Sequence, residues 1–231
     1  MSLFRPVELP CPSCEAPVQF QACGSVNADR RPDLRDEIIS GSFQRGACEK
    51  CGTTFRLDPE FVYLDVGRGQ WITAFPVARV GDWEHIEAEV REAFAKSYGD
   101  KSPPDLQEIG RDLRVRTTFG WAALREKLLI AEHGLDDVNF ELLKIALLRS
   151  LDDPPLQNDA ELRLVTVDAV ENELELAFIV SQGEQLIETL RIPRELYDEI
   201  AADQEGWQEL RNEISAGPFV DTRRLMVAGK A

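Results

Sequence analysis

Four of the five cysteines in this chain fall into two pairs of identical spacing, Cys11 with Cys14 in "LPCPSCEAPVQF" and Cys48 with Cys51 in "GACEKCGTTF", separated by 33 residues. Thiolates so spaced either hold a metal or exchange electrons as a dithiol. A reactive dithiol normally opens a helix, whose N-terminus lowers the thiol pKa. Here Cys14 runs into Pro17 and the alternating Val18 and Phe20, and Cys51 into Gly52 and two β-branched threonines, so strands are predicted after both pairs. Neither pair opens a helix. Pro12 stiffens the first loop, and Gly52 supplies the positive φ that lets the second turn back. The pattern predicts a closed tetrahedral site with Cys11, Cys14, Cys48 and Cys51 as ligands and Zn2+ as the metal. Four thiolates around a divalent cation leave such a site at about −2. A rubredoxin-like iron centre that carries electrons uses the same knuckles and is the alternative.

Other reactive side chains read as structural. Cys23 stands nine residues after Cys14, too far for the same knuckle, and is expected as a small apolar core residue. His133, beside Glu132 and close to Asp136 and Asp137, has the composition of a hydrolytic metal site. A histidine and aspartates around a helix break are more simply a C-cap and an N-cap. His85 is expected at the solvent edge of its helix. No glycine-rich phosphate loop, nucleophile elbow or serine-histidine-acid set can be identified, and "GRGQW" reads as a turn. Asp152 and Asp153, before Pro154 and Pro155, read as a loop.

The elements that must position the cysteines follow from periodicity. "RRPDLRDEIISGS" predicts one helix between the knuckles, with Pro32 at its start, Leu34, Ile38 and Ile39 as its apolar side and Gly41 as its stop. "TTFRL", "FVYLDV" and "QWITAFPV" predict strands, the last two joined through "GRG" as a hairpin. "DWEHIEAEVREAFAKSY" predicts an amphipathic helix capped by Asp82, with Trp83, Ile86, Val90, Ala93 and Phe94 inward. "GDKSPPD" reads as a linker. Beyond it, residues 121–133 and 137–151 predict two helices separated at Gly134, with Asp136 or Asp137 as the second cap. "ELRLVTV", "ELELAFIV" and "QLIETLRI" predict an antiparallel meander, and two short helices follow. The expected fold is α+β: a zinc-ribbon-like domain over 1–102, elaborated with strands and helices, and an acidic mixed domain over 103–231.

"CPSC", "SVNADRRPDLRDEIISGSF" and "CEKCGTTFRLDPEFVYLD" together resemble the CpXC family, two cysteine knuckles separated by an acidic helix-forming insert. The resemblance covers residues 1 to about 100. "LREKLLIAEHGLDDVNFELLKIALL" is similar to the portion that follows this domain in longer members. The resemblance implies zinc held by Cys11, Cys14, Cys48 and Cys51. The chain departs from the family pattern at Glu49, where a proline usually stands, and at Glu15, where a glycine often does. Both changes affect turn stiffness and leave the sulfurs untouched.

Charge narrows the function. Residues 105–231 hold 14 Lys and Arg against 26 Asp and Glu, which is −12 of the chain's net −16. No basic run exists to displace counterions from a phosphate backbone, so nucleic-acid binding is not expected. No apolar stretch approaches the length of a membrane helix, and the first residues lack a basic-then-apolar leader pattern. Reduced, clustered cysteines fit the cytoplasm. The expected role is a non-enzymatic, zinc-stabilised scaffold or adaptor that engages another protein, with the acidic half facing a basic surface. Against it stand the iron electron carrier and an enzyme with an unrecognised site in the C-terminal half. A closed four-sulfur site has no open position for substrate, which favours the first.

Overall fold

The computed structural model describes residues 2–156 and 160–227. Strand β1 (Leu3–Pro10) enters the first cysteine turn and returns as β2 (Pro17–Asn27), with Leu9 opposite Val18 and Pro10 opposite Pro17. Helix α1 (Pro32–Ser40) follows, with Leu34 and Ile38 buried, and stops at Gly41 in the left-handed region at φ 78°. β3 (Arg45–Ala47) and β4 (Thr54–Arg56) make a second antiparallel hairpin around Cys48 and Cys51. β5 (Phe61–Asp65) then lies parallel to β2, and β6 (Gln70–Phe75) returns antiparallel through the expected turn. Helix α2 (Trp83–Tyr98), α3 (Pro104–Asp112) and β7 (Arg114–Phe119) complete a crossover, with β7 parallel to β6. The five-stranded order is β1-β2-β5-β6-β7.

Helices α4 (Trp121–Glu132) and α5 (Asp137–Ser150) come next, followed by the meander β8 (Ala160–Asp168), β9 (Glu173–Val180) and β10 (Gln185–Pro193). Short helices α6 (Glu195–Ala202), α7 (Gln208–Ile214) and α8 (Arg223–Val227) close the described chain. The architecture is α+β, as the sequence indicates. No helix of the described residues is long and apolar enough to cross a membrane.

Elements on the two sides of the division expected at residues 102/103 pack together. β7 lies beyond it, yet forms an edge of the five-stranded sheet. Helix α4 also lies beyond it and is apolar on both flanks. Its Trp121, Leu124 and Leu128 pack with Val26, Phe43 and Ile72 of the N-terminal part, while Leu129 and Ile130 pack with Leu162, Leu174 and Phe178 of the meander. One helix therefore serves two cores. The stretch read as a linker runs directly into α3, whose Pro104 sits in its first turn. Two smaller expectations also change. Asp82 makes no side-chain cap to α2, because its backbone already belongs to the preceding 3-10 turn (Val77–Asp82), and Ala93 is exposed although Trp83, Ile86 and Val90 are buried.

Charged side chains that periodicity leaves inconspicuous form a buried network between α4, α5, β8 and the segment before α8. Lys144 Nζ reaches Glu126 at 2.9 Å and Glu141 at 2.8 Å, and all three are fully buried. Arg163 of β8 donates to Glu126 and Asp221, each at 2.8 Å, and also to Glu161. Glu141 accepts the Thr222 N–H at 2.9 Å. Burial alone would raise the Asp221 and Glu126 carboxyls, but neighbouring cations hold both below their usual range, Arg163 and Arg223 for Asp221 and Lys144 and Arg163 for Glu126. Glu141 is the exception: burial keeps it above its usual value. Glu161 is buried against Arg163, Arg223 and Ser181, while Asp152 and Asp153 are exposed in a loop.

Candidate metal centre

The two cysteine turns are built alike. In the first, Cys11 N–H donates to Ala16 O at 2.8 Å and Glu15 N–H returns to Cys11 O at 2.9 Å. In the second, Cys48 N–H donates to Thr53 O at 2.9 Å and Gly52 N–H returns to Cys48 O at 2.8 Å. Position for position, Glu15 matches Gly52. Both take the left-handed backbone, at φ 58° and 74°. The glycine predicted to turn the second knuckle does so, and the glutamate that stands where a glycine is often found adopts the same conformation at some steric cost.

The hairpins meet through Phe20 and Gly46. A Cβ on Gly46 would lie 2.4 Å from Phe20 Cζ, so β3 passes against the outer end of the ring with no room for a side chain. Phe55, opposite Gly46, adds a ring contact to Phe20 at 5.3 Å. This small apolar cluster, with Val18 and Leu57, brings the two turns tip to tip. Arg56 stacks its guanidinium 3.8 Å over Trp121, and Trp121 Nε1–H donates to Leu57 O at 2.8 Å, which fastens the second hairpin to α4.

All four sulfurs consequently lie within 4.8 Å of one another. Cys11 and Cys51 are 3.6 Å apart, and Cys14 and Cys48 are 3.7 Å apart. Tetrahedral zinc with sulfurs about 2.3 Å away requires sulfur separations of about 3.8 Å. The donor set and its spacing therefore fit such an ion. Cys11 and Cys48 are buried, Cys51 is exposed, and the Ser13 N–H points at Cys11 Sγ from 3.4 Å. The Thr53 hydroxyl and N–H, with Cys14 beside it, pull the Cys51 thiol down to about 6. Cys14 moves upward, because its neighbouring sulfurs and burial outweigh the backbone N–H of Ala16. Cys51 therefore gives up its proton more readily than Cys14.

A family model described as CpXC protein matches residues 9–144. The chain belongs to the CpXC family. No curated protein and no solved structure matched it. The family match takes in both knuckles, the whole path from β2 to β7, α4 and half of α5, and it ends before the meander. It reaches well past residue 100, where the resemblance of the knuckles alone stops, and it includes the helix that serves both cores.

The remaining reactive residues fall where their plain readings put them. Cys23 is buried outside the cluster, donates to Ser25 O at 3.3 Å, and burial pushes its thiol up to about 11. His133 is the C-cap of α4, Gly134 follows at φ 64°, and Asp136 caps α5 by accepting from Val138 and Asn139 N–H at 3.0 and 3.1 Å. Asp137 turns inward to Arg116 and Lys127, which overcome the effect of burial and hold it well below the usual carboxylate range. His85 is exposed beside Glu89. Among the described residues, the four cysteines are the group able to hold a metal.

Proposed function

We propose that this chain is a non-enzymatic adaptor whose two cysteine hairpins are locked by one structural zinc ion. The observation that carries the reading is the cluster of four cysteine sulfurs within 4.8 Å of one another: bound to a four-coordinate ion, they would fill every position and leave none for a substrate or an activated water. Such an ion fixes the surface around the knuckles and performs no reaction. The setting is the reducing cytoplasm, where unpaired thiols persist. Elemental analysis of the purified protein tests the site. One zinc per chain is expected in the wild type and in Cys23→Ser, and loss of it in Cys11→Ser. A coloured protein containing iron would make the chain an electron carrier instead.

The partner in this reading is a protein with a basic surface. Helices α6 and α7 and the turn between them expose Glu195, Asp198, Glu199, Asp203, Glu205 and Glu209. Clustered like charge raises the encounter rate with an opposite surface and repels phosphate backbones and anionic lipids. Association should slow as salt shortens the Debye length from about 10 Å to about 3 Å, and slow further in Asp198→Lys with Glu199→Lys. An association rate that ignores both changes would leave the acidity as a solubility feature.

A further inference from the structure

A cavity of about 290 Å³ opens where the first residues of β6 and β7 face α4 and the turn into α5. Four cationic side chains line it, Arg68, Arg114, Arg116 and Lys127, against two carboxylates, Asp112 and Asp137. That is an excess of two positive charges in a chain whose net charge is −16. The balancing acids stand behind the wall. Asp65 pairs with Arg68 at 3.1 Å, Asp136 with Arg114 at 3.5 Å and Glu141 with Lys127 at 3.2 Å, and none of the three is among the lining residues.

The cations are not equally committed. Arg116 forks onto both oxygens of Asp137 at 2.6 and 2.9 Å and gives its Nη1–H to Val115 O at 2.8 Å. Arg114 approaches Asp136 and Asp137 only at 3.5 and 3.7 Å, and its side chain is half exposed, so most of its donors remain available. Arg68 is likewise half exposed. We propose that this cavity binds a small dianion, its acidic oxygens taken by Arg114 and Arg68. Monohydrogen phosphate and dicarboxylates share this chemistry.

Inorganic phosphate and, separately, malate are titrated into the isotope-labelled full chain, and the amide signals of 68–70, 112–116 and 134–137 are followed. Saturable shifts at these amides are expected with at least one of the two, and the one that saturates distinguishes a phosphate-type ligand from a dicarboxylate. Arg114→Gln should weaken the binding about tenfold or more, the effect of one charge-assisted contact. Arg149→Gln, an exposed cation outside the cavity, should leave it unchanged. Arg68→Gln provides a second reading should Arg114→Gln lose its dispersed spectrum. Saturation by neither probe, or equal weakening by the Arg114 and Arg149 changes, would overturn the proposal.

Discussion

At the residue scale, two positions near the sulfurs decide how well the knuckles close. Gly46 has no room for a methyl group against Phe20, so Gly46→Ala must push the hairpins apart. Overpacking of this kind costs about 1–3 kcal/mol. The loss should appear as a lower melting temperature together with weaker zinc retention against a chromophoric chelator; unchanged retention would mean that the hairpins do not meet through Phe20. Glu15 is the converse case. A left-handed non-glycine residue costs about 1–2 kcal/mol, and the equivalent turn already has Gly52. Glu15→Gly should therefore stabilise the metal-bound protein by roughly 1 kcal/mol after the added freedom of the unfolded chain is subtracted, as read in a denaturant titration. Gly52→Ala should destabilise it. The pairing of the four cysteines was legible because cysteine spacing is a local signal. The contact between Gly46 and Phe20 was not, because it joins residues that only the tertiary fold brings together.

At the element scale, the same distinction explains which parts of the fold could be read in advance. Helices α1, α4 and α5, the β5–β6 hairpin and the meander have strong periodicity or clear stops. The two edges of the five-stranded sheet do not: β1 contains Pro6 and ends at Pro10, and β7 begins with alternating arginines. Proline and charge are what edge strands tolerate and what strand patterns penalise. The buried charges escaped notice because Glu126, Lys127, Glu141 and Lys144 look like ordinary helix-surface residues. The available signal was that α4 and α5 carry apolar residues around most of their circumference, which leaves no solvent face for those charges. Lys144→Met removes the cation shared by Glu126 and Glu141, and breaking a buried pair in this way costs about 3–5 kcal/mol. Denaturant unfolding should register that loss, and a change below about 1 kcal/mol would show that the network is hydrated. The pH dependence has a definite sign. Asp137, Asp221 and Glu126 have folded-state pKa values below their unfolded ones, so their contribution is present above the ordinary carboxylate range and disappears as pH falls through and below about 4. Glu141, shifted upward, works the other way and offsets part of that loss. Thermal melts between pH 7 and pH 3 should show falling stability, and a flat profile would contradict the assigned ion pairs.

At the scale of the whole molecule, the question is how far the metal's influence extends. Structural zinc in finger peptides supplies about 10–16 kcal/mol of apparent binding energy, comparable with the 5–15 kcal/mol that stabilises an entire domain. Yet the apolar cluster at the knuckles is separate from the two cores that share α4. Removing the ion with a strong chelator should abolish hydrogen-exchange protection over residues 9–20 and 44–57 and leave α4, α5 and β9 protected; loss throughout the chain would mean that the ion holds both cores. The boundary expected at 102/103 can be tested by cutting there. A fragment ending at residue 102 lacks β7, the partner of β6 over six paired positions from Gln70–Arg114 to Phe75–Phe119, and it lacks Trp121, Leu124 and Leu128, which cover Tyr63 and Ile72. Zinc cannot compensate for that uncovered sheet face, because its ligands lie at the opposite turns of β1–β2 and β3–β4. Even with zinc bound, the fragment should give a poorly dispersed amide spectrum and expose apolar surface to a hydrophobic dye. A sharp, fully dispersed spectrum from residues 1–102 would restore the knuckle region as a domain in its own right and reduce α4 to a surface that docks on it afterwards.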